Sequence, residues 1–481
     1  MPERDSWWST FLHYQHRENE AVNRLINWSW SDSDKSYLSD ESIFLICIAL
    51  SWFLTTPNRF VRDKATKGLV CLLQNRINLL SKLLDTFKNV NDLYVLERLF
   101  AVAYGCVLRN QKDIENLKIL AKWIYENIFQ ENKPPIHILL RDYAREVIEV
   151  ALSRGIKIKI VKNNINPPYK SIWPKNIPSE RELKKKYYPE NFFKGKTKNR
   201  GFLHAWSSIM GTLGDFGRYV INPSLSHWTG KKIGESLIDR EKIFNNFINN
   251  LSSKQKKLWE DTDPIIYEEN RNKEISKSQK REKENVNFLG ILLRVKVAKG
   301  RKSEKELKVA TQYFKKSLNS EQRKIFNKEI EPFLDHNQNI YDSAKNFNMK
   351  LAQRWIINRV VELGYNSKIH GTFDEYINDN RLDNSSHKAE RIGKKYQWIA
   401  FHEFMALVSD HFEFKGESYN NDDKSYEGPW NPYIRDIDPS FILQTDDSIK
   451  NSINFSKWKE SHWKYNAWEK SNSDKDWLKK K

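Results

Sequence analysis

Through the first 160 residues apolar side chains recur every three or four positions, the spacing of one helical face. In "SDESIFLICIALSWFL" either Ser39 or Asp40 can cap a long apolar helix. In "NLKILAKWIYENIF", Leu117, Leu120, Ile124 and Ile128 share a face. Pro57 and the Pro134-Pro135 pair fall between the helical stretches, where a missing N–H does least harm. The pattern predicts an all-helical region over 1–160.

Within it one frame repeats. "FVRDKATKGLVCLL" aligns with "LLRDYAREVIEVAL", so Arg62-Asp63-x-Ala65 matches Arg141-Asp142-x-Ala144, and "VLERLFAVAYGCVL" places Arg98 and Ala101 in the same frame. The Arg residues lie 36 and 43 positions apart. Each is followed by Ala at +3, by Leu69, Gly105 or Ile148 at +7, and by Leu72, Leu108 or Ala151 at +10. Those positions share a helical face, and Ala lets a neighbouring helix approach closely. The period is that of HEAT-type helix pairs. It predicts Arg62, Arg98 and Arg141 on successive second helices, with Asp63 and Asp142 in pairing reach of the next repeat.

The pattern changes at 161–200, where Pro167, Pro168, Pro174, Pro178 and Pro189 and the run Lys184-Lys185-Lys186 predict a connection. Residues 201–415 read as a second, predominantly helical domain. In it "GFLHAWSSIMGTLGDFGRYVI" is apolar, and 240–335 reads as a polar helical hairpin or arm. Amphipathic helices follow over 343–363, ending at Gly364, and over 387–414, the latter apolar on two faces and so buried between neighbours. The tail 416–481 is turn-rich and holds five of the 17 Trp residues. The predicted fold class is mainly α: N-terminal HEAT-like repeats, then a helical domain with an irregular Trp-rich tail.

Charge alters this picture in one place. Of the net +19, residues 1–160 carry +3, residues 161–350 carry +17, and residues 351–481 carry −1. A basic block can bind phosphate backbones or an acidic protein, and Lys-rich, Asn-rich composition also produces one. The longest apolar run, Ile43 to Leu54, is too short to span a bilayer. The start "MPERDSWWSTF" has no export signal. Cys47, Cys71 and Cys106 are dispersed in apolar segments and read as buried free thiols in a cytoplasmic protein without membrane partners.

Catalytic motifs are incomplete. "WTGKKIG" has Leu225 where a phosphate-binding loop needs its first glycine. "GDFGRYV" carries Asp215-Phe216-Gly217 without the other kinase elements, so Asp215 is expected to bond the local backbone and Arg218 to reach a carboxylate, beside Tyr219. His402-Glu403 lacks a second His, since position 406 is Ala, and His402, Asp410 and His411 carry no metal spacing. No catalytic residue, metal or cofactor is expected. "ERIGKKYQW" sets Arg391, Lys394 and Lys395 beside Tyr396 and Trp398, a group that could hold nucleic acid or simply pair and pack in the core.

Seven segments read together in order, "WWSTFL" (7–12), "LTTPNRFVRDKATKGLV" (54–70), "YVLERLFAVAYG" (94–105), "LLRDYAREVIE" (139–149), "GDFGRYVI" (214–221), "KAERIGKKYQWIAFHEFMA" (388–406) and "RDIDPS" (435–440), carry a resemblance. They resemble the helical-repeat sensor region of large bacterial STAND NTPases of the AVAST antiviral type. In that family an effector and an ATPase precede a sensor that recognises a phage protein. This chain lacks both preceding parts, so ATP hydrolysis and effector activity are not implied. The resemblance implies a non-enzymatic scaffold binding a viral protein, with an ATPase or effector as a further partner. The alternative is a nucleic-acid-binding helical-repeat protein using 161–350.

Overall fold

The computed structural model describes residues 1–17, 20–187, 201–234, 240–262, 304–334, 346–379, 389–415 and 437–442. The expected Trp-rich tail, apart from 437–442, and the parts of the polar stretch and of the connection between those ranges lie outside the described residues. The fold is mainly α-helical. No helix among the described residues is long and apolar enough to cross a membrane.

After a short helical entry over Pro2–Gln15, seven helices build the first part: α1 (Ala21–Trp30), α2 (Asp40–Phe53), α3 (Arg59–Leu73), α4 (Asn78–Phe87), α5 (Leu93–Arg109), α6 (Ile114–Ile124) and α7 (Ile138–Ser153). Helices α2, α4 and α6 pack side by side in one layer. Helices α1, α3, α5 and α7 form the other, and α2–α3, α4–α5 and α6–α7 pack as pairs across the layers.

Sequence explains three of the four starts in the second layer, those of α3, α5 and α7. Asn58 Oδ1 accepts from the Phe60 and Val61 N–H groups, Asp92 Oδ1 from Tyr94 N–H, and His137 Nδ1 from Leu140 N–H. Each meets a backbone donor that the first turn leaves unpaired. Ser39 caps α2 in the same way. Ala65, Ala101 and Ala144 are fully buried where these helices approach one another.

Four further helices pack into the same body: α8 (Gly201–Met210), α9 (Met349–Glu362), α10 (Ser367–Asp379) and α11 (Ile392–His411). Asn348 caps α9, and the chain leaves it through Gly364 at φ +103°, a conformation that other residues rarely adopt. Helix α11 packs on α9, α10, α8, α5 and α7, which explains apolar residues on both of its faces. One continuous apolar cluster runs from Leu12 to Phe412 and crosses the expected boundaries at 160 and 200. The segment "WTGKK" forms strand β1 (Trp228–Lys232), paired antiparallel with β2 (Phe412–Phe414) at the end of α11.

The described parts of the polar stretch carry a core of their own. Helices Arg240–Asn249, Ser253–Glu260 and Glu304–Ser317, with the helical run from Ser320, enclose a small core of Phe247, Leu251, Phe314, Leu318, Phe326 and Ile330. Ser252 and Asn319 each form a capping box with a Gln three residues on.

Candidate recognition face and buried polar seam

Arg62, Arg98 and Arg141 lie on α3, α5 and α7, the second helices of the three pairs, and all three are buried. Asp63 on α3 meets Arg98 Nη1 on α5 at 3.1 Å, and the Arg62 guanidinium stacks 4.0 Å from the Tyr94 ring centroid. Arg141 turns elsewhere. Its Nη1 meets Asp410 Oδ2 of α11 at 2.9 Å, while Nε and Nη2 donate to the carbonyls of Pro135 (2.7 Å) and Pro134 (3.2 Å). Helix α11 therefore supplies the carboxylate at this rung, not a further repeat. Asp142 is buried on α7.

Helix α11 lays a polar stripe against the N-terminal turns of α5 and α7: Lys395, His402 and Asp410, seven and eight residues apart on one face. Lys395 Nζ, fully buried, contacts Asp5 (2.9 Å) and Asp92 (2.7 Å), and Tyr396 Oη donates to Asp5 at 3.1 Å. Arg4 also pairs with Asp92. These groups staple the N-terminus, α5 and α11 together. Burial raises the Asp5 carboxyl above its usual range despite the attraction of Lys395. Lys395 and Tyr396 are therefore core residues, and neither reaches solvent to stack a base.

At the centre of the seam, Glu97 Oε2 lies 3.6 Å from both His137 Nε2 and His402 Nδ1, with all three residues buried. Burial would raise the Glu97 carboxyl, but the two histidines and Arg98 more than reverse it and hold it low. Burial, with the charges of His402 and Arg141, pushes His137 down to about 3 against the pull of Glu97. His137 is neutral at physiological pH, and because Nδ1 accepts from Leu140 N–H its proton sits on Nε2, facing Glu97.

Donor spacings of 3.6 Å lie close to the roughly 3.4 Å between ligands of a tetrahedral ion. A metal on His137 Nε2 would require the proton to move to Nδ1, where it would face the Leu140 N–H and break the cap. The protonation pattern therefore fits a buried Glu–His seam better than a metal centre. Sequence reasoning missed this cluster: His137 precedes an apolar run as a cap, and only tertiary packing brings His402 to it.

The Asp215 turn lies at the surface. Asp215 Oδ1 accepts from Phe216 N–H at 2.9 Å, and Oδ2 pairs with Lys394 Nζ at 2.7 Å. Burial opposes ionisation here, but Lys394, Ser208 and Arg391 prevail and lower Asp215 to about 2. Among the described residues Arg218 meets no carboxylate. It is exposed, with its guanidinium 5.4 Å from the ring of exposed Tyr219, because the turn at 217–221 points both side chains outward. Arg391 and Lys394 help line an open cleft of about 530 Å³ with His204, Ser208, Asp215 and Ile377. Trp398 packs edge-on to Phe216 at 5.0 Å.

A second face of the stack holds part of the chain itself. Residues Ile437–Ile442 cross the second-layer helices in reverse order. Tyr143 Oη of α7 donates to the Ile437 carbonyl (3.1 Å), and Arg109 Nη1 of α5 to Ser440 (3.0 Å). Lys67 Nζ of α3 donates to Asp438 and Phe441, and Trp30 Nε1 of α1 to Ile442 (2.7 Å). All five acceptors are main-chain carbonyls. Pro439 sits on Gly105, where an added Cβ would lie 2.6 Å from the Pro439 oxygen. Gly105 occupies the +7 position that is Leu69 on α3 and Ile148 on α7, so the middle helix carries a notch. The glycine in the aligned frame and the "DPS" turn were the available signals.

A scan of family models and searches of the curated proteins and of the solved structures give no match to this chain.

Proposed function

We propose that this chain is a non-enzymatic recognition scaffold built on HEAT-like helix pairs, the ligand-sensing portion of a bacterial antiphage STAND system that binds a viral protein. The observation that carries the scaffold part is the second-layer face, where donors from four successive helices hold a chain segment by its main-chain carbonyls. Stacked helix pairs offer a long continuous surface suited to protein ligands. The viral ligand and the ATPase or effector partner rest on the resemblance of the seven segments. In this reading the buried seam, with its neutral His137, serves architecture.

The test is affinity capture with the full chain from phage-infected cells, followed by mass spectrometry. Recovery of one phage structural or packaging protein is the expected result; recovery of nucleic acid alone would overturn it. The second reading, nucleic-acid binding through 161–350, draws on the excess of +17 and on exposed Lys254, Lys257, Lys308, Lys316, Arg323, Lys324 and Lys328. It requires affinity that falls steeply with salt. A flat response from low to physiological salt would remove it.

A further inference from the structure

We infer that the notch at Gly105 and the donors around it form a binding site for a partner's peptide with an apolar-Asp-Pro-Ser-aromatic turn, and that Ile437–Ile442 is its displaceable in-chain occupant. This deepens the scaffold reading and rests on it.

The recognition chemistry is that of a peptide site. Donors from four helices take carbonyl oxygens, which any peptide presents, so they fix the direction and register of the chain. Specificity comes from shape. Asp438 Oδ1 accepts from Ser440 N–H (2.9 Å) and Ser440 Oγ (2.7 Å), an Asx turn that thrusts Pro439 into the notch. Gly105 is the residue that makes the notch. In a helix interior glycine is unfavourable, and here its missing Cβ is what admits the Pro439 backbone.

The hold is that of an exchangeable ligand, not of a core strap. Only Ile437 and Pro439 are buried; Asp438 is exposed, and the Phe441 side chain, the largest in the segment, is 52% exposed. Two of the donors, Lys67 and Arg109, are long side chains at the solvent edge that rehydrate when the segment leaves. An occupant carried on the same chain acts at an effective concentration on the order of millimolar, enough to mask a site of micromolar affinity until a better peptide arrives.

The experiment uses the full chain and a fluorescein-labelled peptide with the sequence of residues 435–444, read by anisotropy. The chain carrying Asp438→Ala and Pro439→Gly, its own occupant weakened, should bind the peptide at least tenfold tighter than the native chain. Adding Gly105→Leu should abolish that binding. Equal affinity of native and doubly substituted chains, or binding by neither, would overturn the inference. Should the substituted chain fail to fold, the native chain is treated with excess peptide carrying a photoreactive residue at the Phe441 position. Cross-links to α1, α3 or α5 support exchange, and their absence makes the segment a permanent strap. Peptide exchange without capture of a phage protein would keep the groove and discard the viral ligand. Capture without exchange would keep the scaffold and move its ligand to another face.

Discussion

His137→Asn separates the two things His137 does. Asparagine is among the best N-caps, so the bond to Leu140 N–H survives the substitution while the titratable imidazole is lost. In the native chain the folded His137 protonates at about 3, against an ordinary 6.5 for an exposed histidine. The pressures on it are burial first, then His402 and Arg141, with Glu97 opposing.

The sign follows from proton uptake. Between pH 6.5 and 3 the unfolded chain binds a proton here that the folded chain refuses, so stability falls as pH drops through that window. The limiting slope is about 1.4 kcal/mol per pH unit. For this one group the loss between pH 7.5 and 5 is about 2 kcal/mol. Urea denaturation of native and His137→Asn chains at those two pH values measures it. The variant starts from a lower intercept, because Glu97 loses a facing N–H, but its loss on acidification should be about 2 kcal/mol smaller. The same loss in both chains would refute the account, because His137 would then be charged or wet in the folded state.

Three further outcomes follow from the same structure. Lys395→Met leaves Asp5 and Asp92 as buried carboxylates without their shared cation, and should cost about 3–5 kcal/mol in chemical denaturation; a cost below about 1 kcal/mol would show that Arg4 alone suffices. Asp410→Asn turns one amide donor toward either Arg141 or the Tyr169 N–H, both of which now donate to the carboxylate, and should cost about 2–4 kcal/mol by the same measurement. Gly105→Ala should leave the helical stack as stable or about 0.5–1 kcal/mol more stable, while the clash with Pro439 loosens the 437–442 segment. Thermal melting together with limited proteolysis of the tail reads both effects, and a destabilised stack with an intact tail would contradict the notch.

The helices were legible because each carries its own signal. Ser39, Asn58 and Asp92 are polar caps directly before apolar periodic runs, and Ala65, Ala101 and Ala144 mark close helix contacts in a repeating frame. The arginine frame pointed to second helices because a recurring Arg-x-x-Ala spacing needs only local geometry to interpret. Its partners were not legible. Asp410 answers Arg141 from the far end of the chain, and no local pattern in "FMALVSDHF" distinguishes a pairing carboxylate from a solvated one. Lys395 and Tyr396 left two readings open, a hold on nucleic acid or packing in the core, and only Asp5 and Asp92, distant in sequence, decide for the core. Arg218 points outward beside Tyr219, with no carboxylate next to it among the described residues.

The seam and the groove also explain each other. Helix α11 fastens onto the N-terminal turns of α5 and α7 through Lys395, His402 and Asp410, taking up the caps and the buried charges. On α5 the 437–442 segment lies farther along, near Gly105 and Arg109, while on α7 it reaches Tyr143, two residues from Arg141. The seam is thus locked by charges that cannot be exposed without a cost of several kcal/mol. The groove is closed by five carbonyl contacts to donors, each worth about 1 kcal/mol net. Of the two closures the groove is the weaker. On the proposal of ligand exchange at the groove, substitutions in the seam should act on stability and those around Gly105 on binding.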